Sequence, residues 1–255
     1  MRAFLAIYRR EMGAYFHSPV AYVVLVAFLV LTGYFFYAGV SFYTLASLQV
    51  MQNPMMMELN LQDHLLGGLV TNVSVILLFA APLLTMRLLA EERKSGTLEL
   101  LLSYPLSDIS VVLGKFFAAW SVLGLMVAAT WVQIALLATM TPLPWQPMAV
   151  SYGGLLLMAG AFVAFGLWTS SLTESQIVAA FAGFLPLIIL WAVGWAAPLV
   201  KPALGELLKG LSMGTHFEGF PKGLVDTADL AYFGLFIGLF LFLSIRTLEA
   251  KRWKA

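Results

Sequence analysis

Long apolar stretches without acidic or basic residues alternate with short polar segments along this chain of 255 residues. A helix advances about 1.5 Å per residue, so about 20 apolar residues cross the roughly 30 Å of hydrocarbon in a membrane. The stretch 116–173 is too long for one crossing, and the prolines between Pro142 and Pro147 divide it. The pattern predicts six transmembrane helices, at about 20–40, 66–88, 114–138, 150–170, 177–197 and 229–247.

The predicted fold class is therefore an all-α polytopic membrane protein, with one transmembrane domain over residues 1–255. Backbone groups in lipid must find hydrogen-bond partners within their own segment, which favours helices. No segment alternates apolar and polar residues, so the pattern excludes a β-barrel. The first span is not expected to be a cleavable signal peptide, because nineteen residues precede it and no small-residue cleavage pattern follows.

Basic residues are divided unevenly between the two sides that six spans would create. The side holding both termini carries 11 of the 14 Lys and Arg residues, and the other side carries 3. Cytoplasmic segments of membrane proteins are enriched in Lys and Arg. The distribution predicts that both termini are cytoplasmic.

Residues 2–17 have the pattern of a helix lying on the membrane surface. Plotted at about 100° per residue, most apolar side chains fall on one half and the cationic ones on the other. Arg9 and Arg10 would face the headgroups, and Glu11 is the one misplaced charge. Ser18-Pro19 then ends the helix. A plain membrane anchor and a helix with a mechanistic role are both compatible with this pattern.

The segment 91–108, between the second and third predicted spans, is the most informative part of the chain. Mixed charges come first, a turn signal follows at Ser95-Gly96, and leucines at helical spacing predict a short helix that Pro105 ends. Such a helix is suited to a groove in a cytosolic partner, and an ordinary charged loop is the alternative. The candidate contact residues are Glu91, Glu92, Arg93, Gly96, Thr97, Glu99, Leu101, Leu102 and Pro105.

Two further connections carry polar residues. In the 171–176 turn, Thr173 and Gln176 have the spacing of a capping box for the fifth span. The external loop 198–228 is rich in proline and glycine, and we expect a short amphipathic helix in it that could re-enter the outer leaflet. A lone His216 near one glutamate is not a metal site, so its role stays open.

Composition excludes most other classes of function. The chain is 61% hydrophobic and only 11% charged, so a soluble domain of this composition could not cover its surface. The net charge of +1 argues against nucleic acid as a partner. Cysteine is absent, which excludes thiolate chemistry and disulfides.

Motifs for catalysis and for ion coupling are also missing from the chain. It contains neither a phosphate-binding loop nor an H-E-x-x-H motif, and the predicted spans have no charged residue near their centres. We therefore expect no enzymatic activity and no cofactor in this chain, and an energy source in another subunit.

Residues 91–107, with Gly114-Lys115 behind them, resemble the signature of type-2 ATP-binding-cassette (ABC) exporter permeases. The pattern from Tyr8 to Pro19 is similar to the start of those permeases. The pattern from His216 to Asp229 resembles the gliding-motility-associated and copper-processing subgroup. The resemblance extends over essentially the whole chain.

The resemblance implies a permease in the bacterial inner membrane that pairs with a second permease half, identical or similar. Two cytosolic ABC ATPase subunits would bind ATP and magnesium. Residues about 97–104 would act as the coupling helix and residues 2–17 as a connecting helix, and ATPase closure would drive export. The short external loops differ from relatives with large external domains, so an additional membrane or periplasmic partner stays open. Gly234 and Gly238 permit close helix approach, without assigning the dimer seam.

A second hypothesis keeps the ATPase drive but passes no substrate. The chain would then be a membrane scaffold or mechanotransmitter that signals to a partner. Stimulation of ATPase activity by candidate substrates would separate the two hypotheses. An intramembrane enzyme is a weaker third hypothesis, because the spans lack paired polar groups.

Overall fold

The computed structural model of the protein describes residues 2–52, 65–97 and 107–252. Every regular element in these ranges is helical. The first four helices are α1 (Arg2–Phe16), α2 (Pro19–Gln52), α3 (Gly67–Thr85) and α4 (Ala90–Lys94). The others are α5 (Asp108–Ala129), α6 (Trp131–Ala138), α7 (Trp145–Leu172), α8 (Gln176–Ala192), α9 (Pro202–Leu211), α10 (Met213–Phe217) and α11 (Thr227–Arg252), with 3-10 segments at Val193–Leu199 and Phe220–Lys222.

Six described helical stretches are long and apolar enough to cross a membrane, as the hydrophobic pattern predicts. They are Pro19–Val50, Gly67–Lys94, Asp108–Ala138, Trp145–Leu172, Gln176–Leu199 and Thr227–Arg252. Helix ends do not mark the membrane surface, so the predicted limits of the spans stay predictions.

The helix α2 continues well beyond the first predicted span. It is 34 residues long and ends at Gln52, whereas the span was expected at about 20–40. Gln49 and Gln52 are polar but compatible with a helix, so the helix can continue beyond the apolar span.

Two helices form the centre of the bundle. The buried share of residues in the most apolar part differs among the membrane-length stretches. This share is 72% in the stretches that contain α3 and α7, and at most 33% in each of the other four. The helix α7 packs against α3, α5, α8 and α11, and α3 also packs against α2. Consequently α3 and α7 form a central pair inside a shell of four outer helices.

Close contact between α3 and α7 depends on Gly166. A methyl group at this position would overlap the side chain of Thr85 on the facing helix. Thr85 cannot easily move away, because it is fully buried and its hydroxyl donates to the Ala81 carbonyl over 2.9 Å. The absence of a side chain at position 166 thus sets the distance between the two central helices.

Serine side chains cap the starts of α5 and α8. Ser107 accepts a hydrogen bond from the Ser110 amide over 3.3 Å and begins α5. Ser175 accepts from the Val178 amide over 3.5 Å and begins α8. The capping box predicted at Thr173 is wrong, because the Thr173 hydroxyl instead accepts from the Ser175 amide over 3.2 Å.

The third membrane-length stretch contains a break between α5 and α6 that the pattern did not predict. The Thr130 hydroxyl lies 2.7 Å from the Val127 carbonyl and 2.7 Å from the Tyr152 hydroxyl on α7. Hydrogen bonding of threonine to its own preceding turn commonly bends a helix. The break therefore lies at a threonine, and neither proline nor glycine is needed to explain it.

The helices α1 and α11, the first and last described, have contacts at the same end of the bundle, which we call the terminal end. Arg10 of α1 contacts Glu92 of α4, and Lys251 of α11 contacts the Ser171 carbonyl at the end of α7. The opposite end holds the 139–144 connection and residues 193–222. The charged contacts of α1 and α4 lie at the terminal end.

The amphipathic helix expected in the loop 198–228 corresponds to α9. It packs against the segment Val193–Leu199, and Gly205 allows this approach because a side chain there would meet the Ala197 carbonyl oxygen at 2.8 Å. Leu204, Leu207 and Leu211 are exposed. Re-entry of this loop into the outer leaflet stays a prediction.

We expect Gly166→Ala to destabilise the bundle, because the added methyl group must displace the buried Thr85. Overpacking of this kind typically costs about 1–3 kcal/mol. Gly153→Ala on the same helix is the matched control, since nothing lies within 4 Å of a methyl group there. Tryptophan fluorescence during heating of both purified variants measures the effect, and equal unfolding temperatures would contradict the tight contact.

Candidate functional site

The helix α1 lies directly against α5 at the terminal end. Gly114 makes this possible, because a Cβ atom there would meet Ile7 Cγ2 at 2.8 Å. Ile7 is buried in the contact, and the Tyr8 hydroxyl donates to Ser121 Oγ over 3.1 Å. The part of α1 that was predicted to lie on the membrane is thus packed along a membrane-length helix.

A buried lysine forms the centre of the site. Lys115 follows Gly114 on α5, and its side chain is only 1% exposed. Its ammonium group donates to Glu11 Oε1 over 2.8 Å and to the Leu88 carbonyl over 2.7 Å, and it lies 3.0 Å from Glu92 Oε1. An ammonium has three N–H donors, so these three acceptors match its capacity.

Arg10 adds a second cation to the same pair of carboxylates. Its guanidinium donates to Glu11 Oε1 over 2.8 Å and also contacts Glu92 Oε1. Two cations and two carboxylates therefore form one cluster, which we call the ionic node: Arg10, Glu11, Glu92 and Lys115. The node joins α4 and α5 to α1, which is far from both in the sequence.

The charge of Glu11 depends on its cationic neighbours. Burial opposes ionisation of this carboxyl group, but Lys115 and Arg10 outweigh burial and hold the pKa of Glu11 below its ordinary value of 4.5. The misplaced acidic residue of the amphipathic pattern is thus the counter-charge of a buried lysine on α5.

Tyr15 connects the end of α1 to the end of α3. Its hydroxyl donates to the Leu84 carbonyl over 2.9 Å, and the Arg87 guanidinium lies 4.6 Å from the centre of its ring. Burial raises the pKa of Tyr15, so the phenol stays protonated and able to donate. This contact and the node hold two successive parts of α1 to the bundle.

The start of α4 is held by Ser170, near the end of α7. The buried Ser170 hydroxyl accepts from the amides of Leu89 and Ala90, each over 3.1 Å, and donates to the Met86 carbonyl over 2.9 Å. One side chain therefore satisfies amides that a helix start leaves without partners. It also fixes the turn between α3 and α4 against α7.

Arg93 joins α4 to the connection between α7 and α8. Its Nη2 lies 3.0 Å from Glu174 Oε1, and its Nη1 donates to the Ser171 carbonyl over 3.4 Å. Glu92 and Arg93 are adjacent in the sequence, yet they bind different neighbours. The five-residue helix α4 is thus tied to α1, α5, α7 and the 171–176 turn.

Gly96 turns the chain away from α4. Its φ of 71° lies in the left-handed region, which glycine adopts at little cost, and such a residue commonly follows the end of a helix. The Ser95 amide donates to the Glu91 carbonyl over 3.0 Å, and the Gly96 amide donates to the Arg93 carbonyl over 3.2 Å. Thr97 completes the turn, with its hydroxyl 2.8 Å from that of Ser95.

An open cleft of about 480 Å³ lies between α1 and α4. Arg10, Glu11, Glu92 and Lys115 of the node line it, together with Arg87, Glu91, Thr97 and several neighbours. Both signs of charge are therefore present around it. A polar surface of this kind suits a charged or hydrogen-bonding group of a partner protein.

The structure brings together part of the predicted site. Arg10, Glu11 and Glu92 meet in the node, Arg93 binds the neighbouring turn, and Gly96 and Thr97 form the turn after α4. Arg9 and Glu91 are exposed. The predicted coupling helix at about 97–104 lies outside the described residues except for Thr97. Four candidate contact residues are likewise not described: Glu99, Leu101, Leu102 and Pro105.

Two residues of the site were missed in the sequence pattern. Lys115 directly precedes the apolar stretch 116–173 and lies within the predicted third span, and lysine is almost never fully buried unless it is paired. That rule could have indicated a missing carboxylate partner. Ser170 carried no comparable signal, because serine is common in helices of membrane proteins.

At the opposite end, His216 is held in place by contacts with two helices. Its Nδ1 lies 2.7 Å from Asp229 Oδ1, its Nε2 lies 3.2 Å from the Gly210 carbonyl, and its ring stacks on Tyr232 with centroids 4.1 Å apart. Within the described ranges, no group of three or more histidines and carboxylates could hold a metal ion. His216 therefore joins the end of α9 to α11.

Comparison with known proteins identifies a family. Residues 5–247 match the model of a family described as ABC-2 family transporter protein. A comparison with curated proteins finds no match. The family match includes the ionic node and five of the six membrane-length stretches in full, together with most of α1 and most of the sixth stretch.

We expect Lys115→Met to destabilise the protein by about 3 kcal/mol, because Glu11 and Glu92 then keep only the half-exposed Arg10 as a counter-charge. Lys209→Met, at an exposed lysine of the opposite end, is the control. Adding Glu11→Gln to the Lys115→Met variant should restore part of the loss. Thermal unfolding of the purified proteins measures these changes, and a Lys115→Met variant as stable as its parent would argue against the node.

The pH dependence of stability should report the lowered pKa of Glu11. A lowered pKa in the folded protein stabilises it above the unfolded value of about 4.5, and this contribution is lost as pH falls through the folded pKa. The parent should exceed Glu11→Gln in unfolding temperature at pH 7, and the difference should shrink below pH of about 4.5. Glu206→Gln, at an exposed residue, serves as the control. A difference that stays constant down to the lowest pH would contradict the assignment.

Proposed function

The chain belongs to the ABC-2 transporter family, and from this membership we propose that it is the permease subunit of an ABC exporter driven by separate ATPase subunits. The membrane component of this family is normally not catalytic, and the family implies association with ABC ATPases. Six membrane-length helices agree with a multi-pass membrane protein. Passage of a substrate is favoured over the scaffold hypothesis because the family is one of transporters.

We propose that the terminal end faces the cytoplasm of a bacterial cell and that the permease lies in the inner membrane. The bias of 11 basic residues against 3 supports this orientation. Both termini and the segment 91–108 are then accessible to a cytosolic ATPase. ATP and magnesium would be bound by that partner.

The observation that carries the proposal is the position of Glu92. It lies five residues before Thr97, where the proposed coupling helix begins, and its carboxylate contacts both Arg10 of α1 and Lys115 of α5. A displacement of the segment after α4 would therefore act on two helices at once. Arg93 would carry the same displacement to the turn before α8 through Glu174.

Energy can pass along this path only if the ATPase favours one arrangement of the permease over another. We propose that the closed ATPase pair binds the coupling segment in one position and the open pair in a different position. Because α4 is attached to neighbours through charged groups and hydrogen bonds, either position imposes a definite arrangement on them. The helix α1, predicted as a connecting helix, would move with α5.

A second permease half, identical or similar, would complete the exporter. The helices α2, α8 and α11 leave most of their apolar residues uncovered within one chain, so lipid or a second chain must cover them. We further propose that the chain is of the gliding-motility-associated and copper-processing type, and the support for this is the pattern from His216 to Asp229.

The proposal is tested by co-purification of the permease with its ATPase after co-expression. We expect Leu101→Asp to weaken association at least about tenfold, since buried interface anchors commonly contribute about 2 kcal/mol or more. Glu92→Gln should weaken it less, because Glu92 acts on the position of the segment. Both variants should still insert into the membrane.

Leu224→Asp is the matched control for Leu101→Asp. It places the same charge at an exposed leucine of the opposite end and should leave co-purification unchanged. If the parent protein binds no ABC ATPase, the proposed function is wrong. If Leu101→Asp binds as well as the parent, the coupling segment has been misidentified.

A further inference from the structure

The last turn of α11 contacts the end of α7, to which α4 is also bound, and the start of α5. On one side, the Lys251 ammonium donates to the Ser171 carbonyl. The same carbonyl accepts from Arg93 of α4 over 3.4 Å. Lys251 and Arg93 therefore share one acceptor, which places the end of α11 beside the end of α4.

On the other side, the neighbouring residue of α11 reaches the start of α5. Arg252 Nη2 lies 3.2 Å from Asp108 Oδ1, with the Asp108 side chain 10% exposed. Asp108 is the first residue of α5, directly after the cap Ser107. A carboxylate is favoured at a helix start, so its position is set by α5 and it offers a fixed anion to Arg252.

The body of α11 gives this last turn a fixed position. Leu248 is 1% exposed and Ser244 is fully buried, within the two turns that precede Lys251. The helix also packs along α7 and α5. The two cationic side chains therefore extend from a helix that the bundle holds in place.

We propose that Lys251 and Arg252 are positioning residues that hold the two ends of the coupling segment at a fixed separation. This inference rests on the proposed function of that segment. A push by an ATPase on the segment would then move α4 and α5 together. Without these contacts, the ion pair of Glu92 and Lys115 would be left, in the described part of the chain, to resist a change in the distance between α4 and α5.

The chain contains a matched control at the same helix end. Arg246 also lies near the end of α11, but its Nη1 contacts Glu249 of the same helix over 2.8 Å, and its side chain is 62% exposed. An Arg246→Gln variant thus removes a positive charge from the same region. It leaves the contacts of Lys251 and Arg252 in place.

The experiment measures the distance between α4 and α5 with two spin labels. The chain has no cysteine, so Lys94→Cys and Ile109→Cys can be labelled selectively, and both positions are exposed. Pulsed electron paramagnetic resonance on the full chain in nanodiscs then gives the distance distribution. The comparison is between the labelled parent, Lys251→Gln with Arg252→Gln, and Arg246→Gln.

We expect the double variant to populate an arrangement with a longer distance between α4 and α5 about fivefold more than the parent does. Loss of roughly one weak charged contact is enough for a change of this size. Arg246→Gln and Arg252→Lys should match the parent, because the second retains a cation opposite Asp108. An unchanged distribution in the double variant would overturn the positioning role.

A second measurement separates this inference from the proposed function. The double variant should still co-purify with the ATPase, because it leaves the segment itself intact, but ATP hydrolysis in the complex should lose its dependence on the permease. Failure of the parent to bind an ATPase would refute the proposed function. Normal binding together with normal permease-dependent hydrolysis in the double variant would refute only the positioning role.

Discussion

An ammonium group enclosed by protein must find a counter-charge and an acceptor for each of its protons, because leaving it without them costs several kcal/mol. Lys115 meets this requirement with Glu11 of α1, Glu92 of α4 and the carbonyl of Leu88. Since no two of these partners come from the same element, the terminal end can form only when α1, α4 and α5 are all in place. The cost of separating them is what makes this end act as one unit.

The rest of the bundle is held by a different kind of interaction. Between α3 and α7 the contact is close packing at Gly166 and Thr85, and the threonine hydroxyls of the membrane-length helices bind carbonyls of their own helices. Closely packed interiors shift between arrangements more readily than they deform. Most of the ion pairs in the described part of the chain lie at the terminal end. A protein with such an end and a closely packed core in the middle is suited to transmitting a displacement as a movement of whole helices.

The number and order of the membrane-length helices followed from hydrophobic length, which is a local property of the chain. The acidic residue at position 11 was correctly singled out as out of place, but its partner was not, because Lys115 is 104 residues away. Such contacts depend on how helices pack. The break at Thr130 and the cap at Ser175 were missed or misplaced because threonine and serine have several uses in helices.

The helix α2 has a consequence for the shape of the protein in its bilayer. At about 1.5 Å per residue, its 34 residues extend about 51 Å, which exceeds both the roughly 30 Å of hydrocarbon and the 40–45 Å that include the headgroups. This hydrophobic mismatch requires α2 either to cross at a steep slant or to stand beyond the lipid surface. In the second case the last turns of α2, with Ser47 and Gln49, lie outside the hydrocarbon, where water can satisfy these polar side chains.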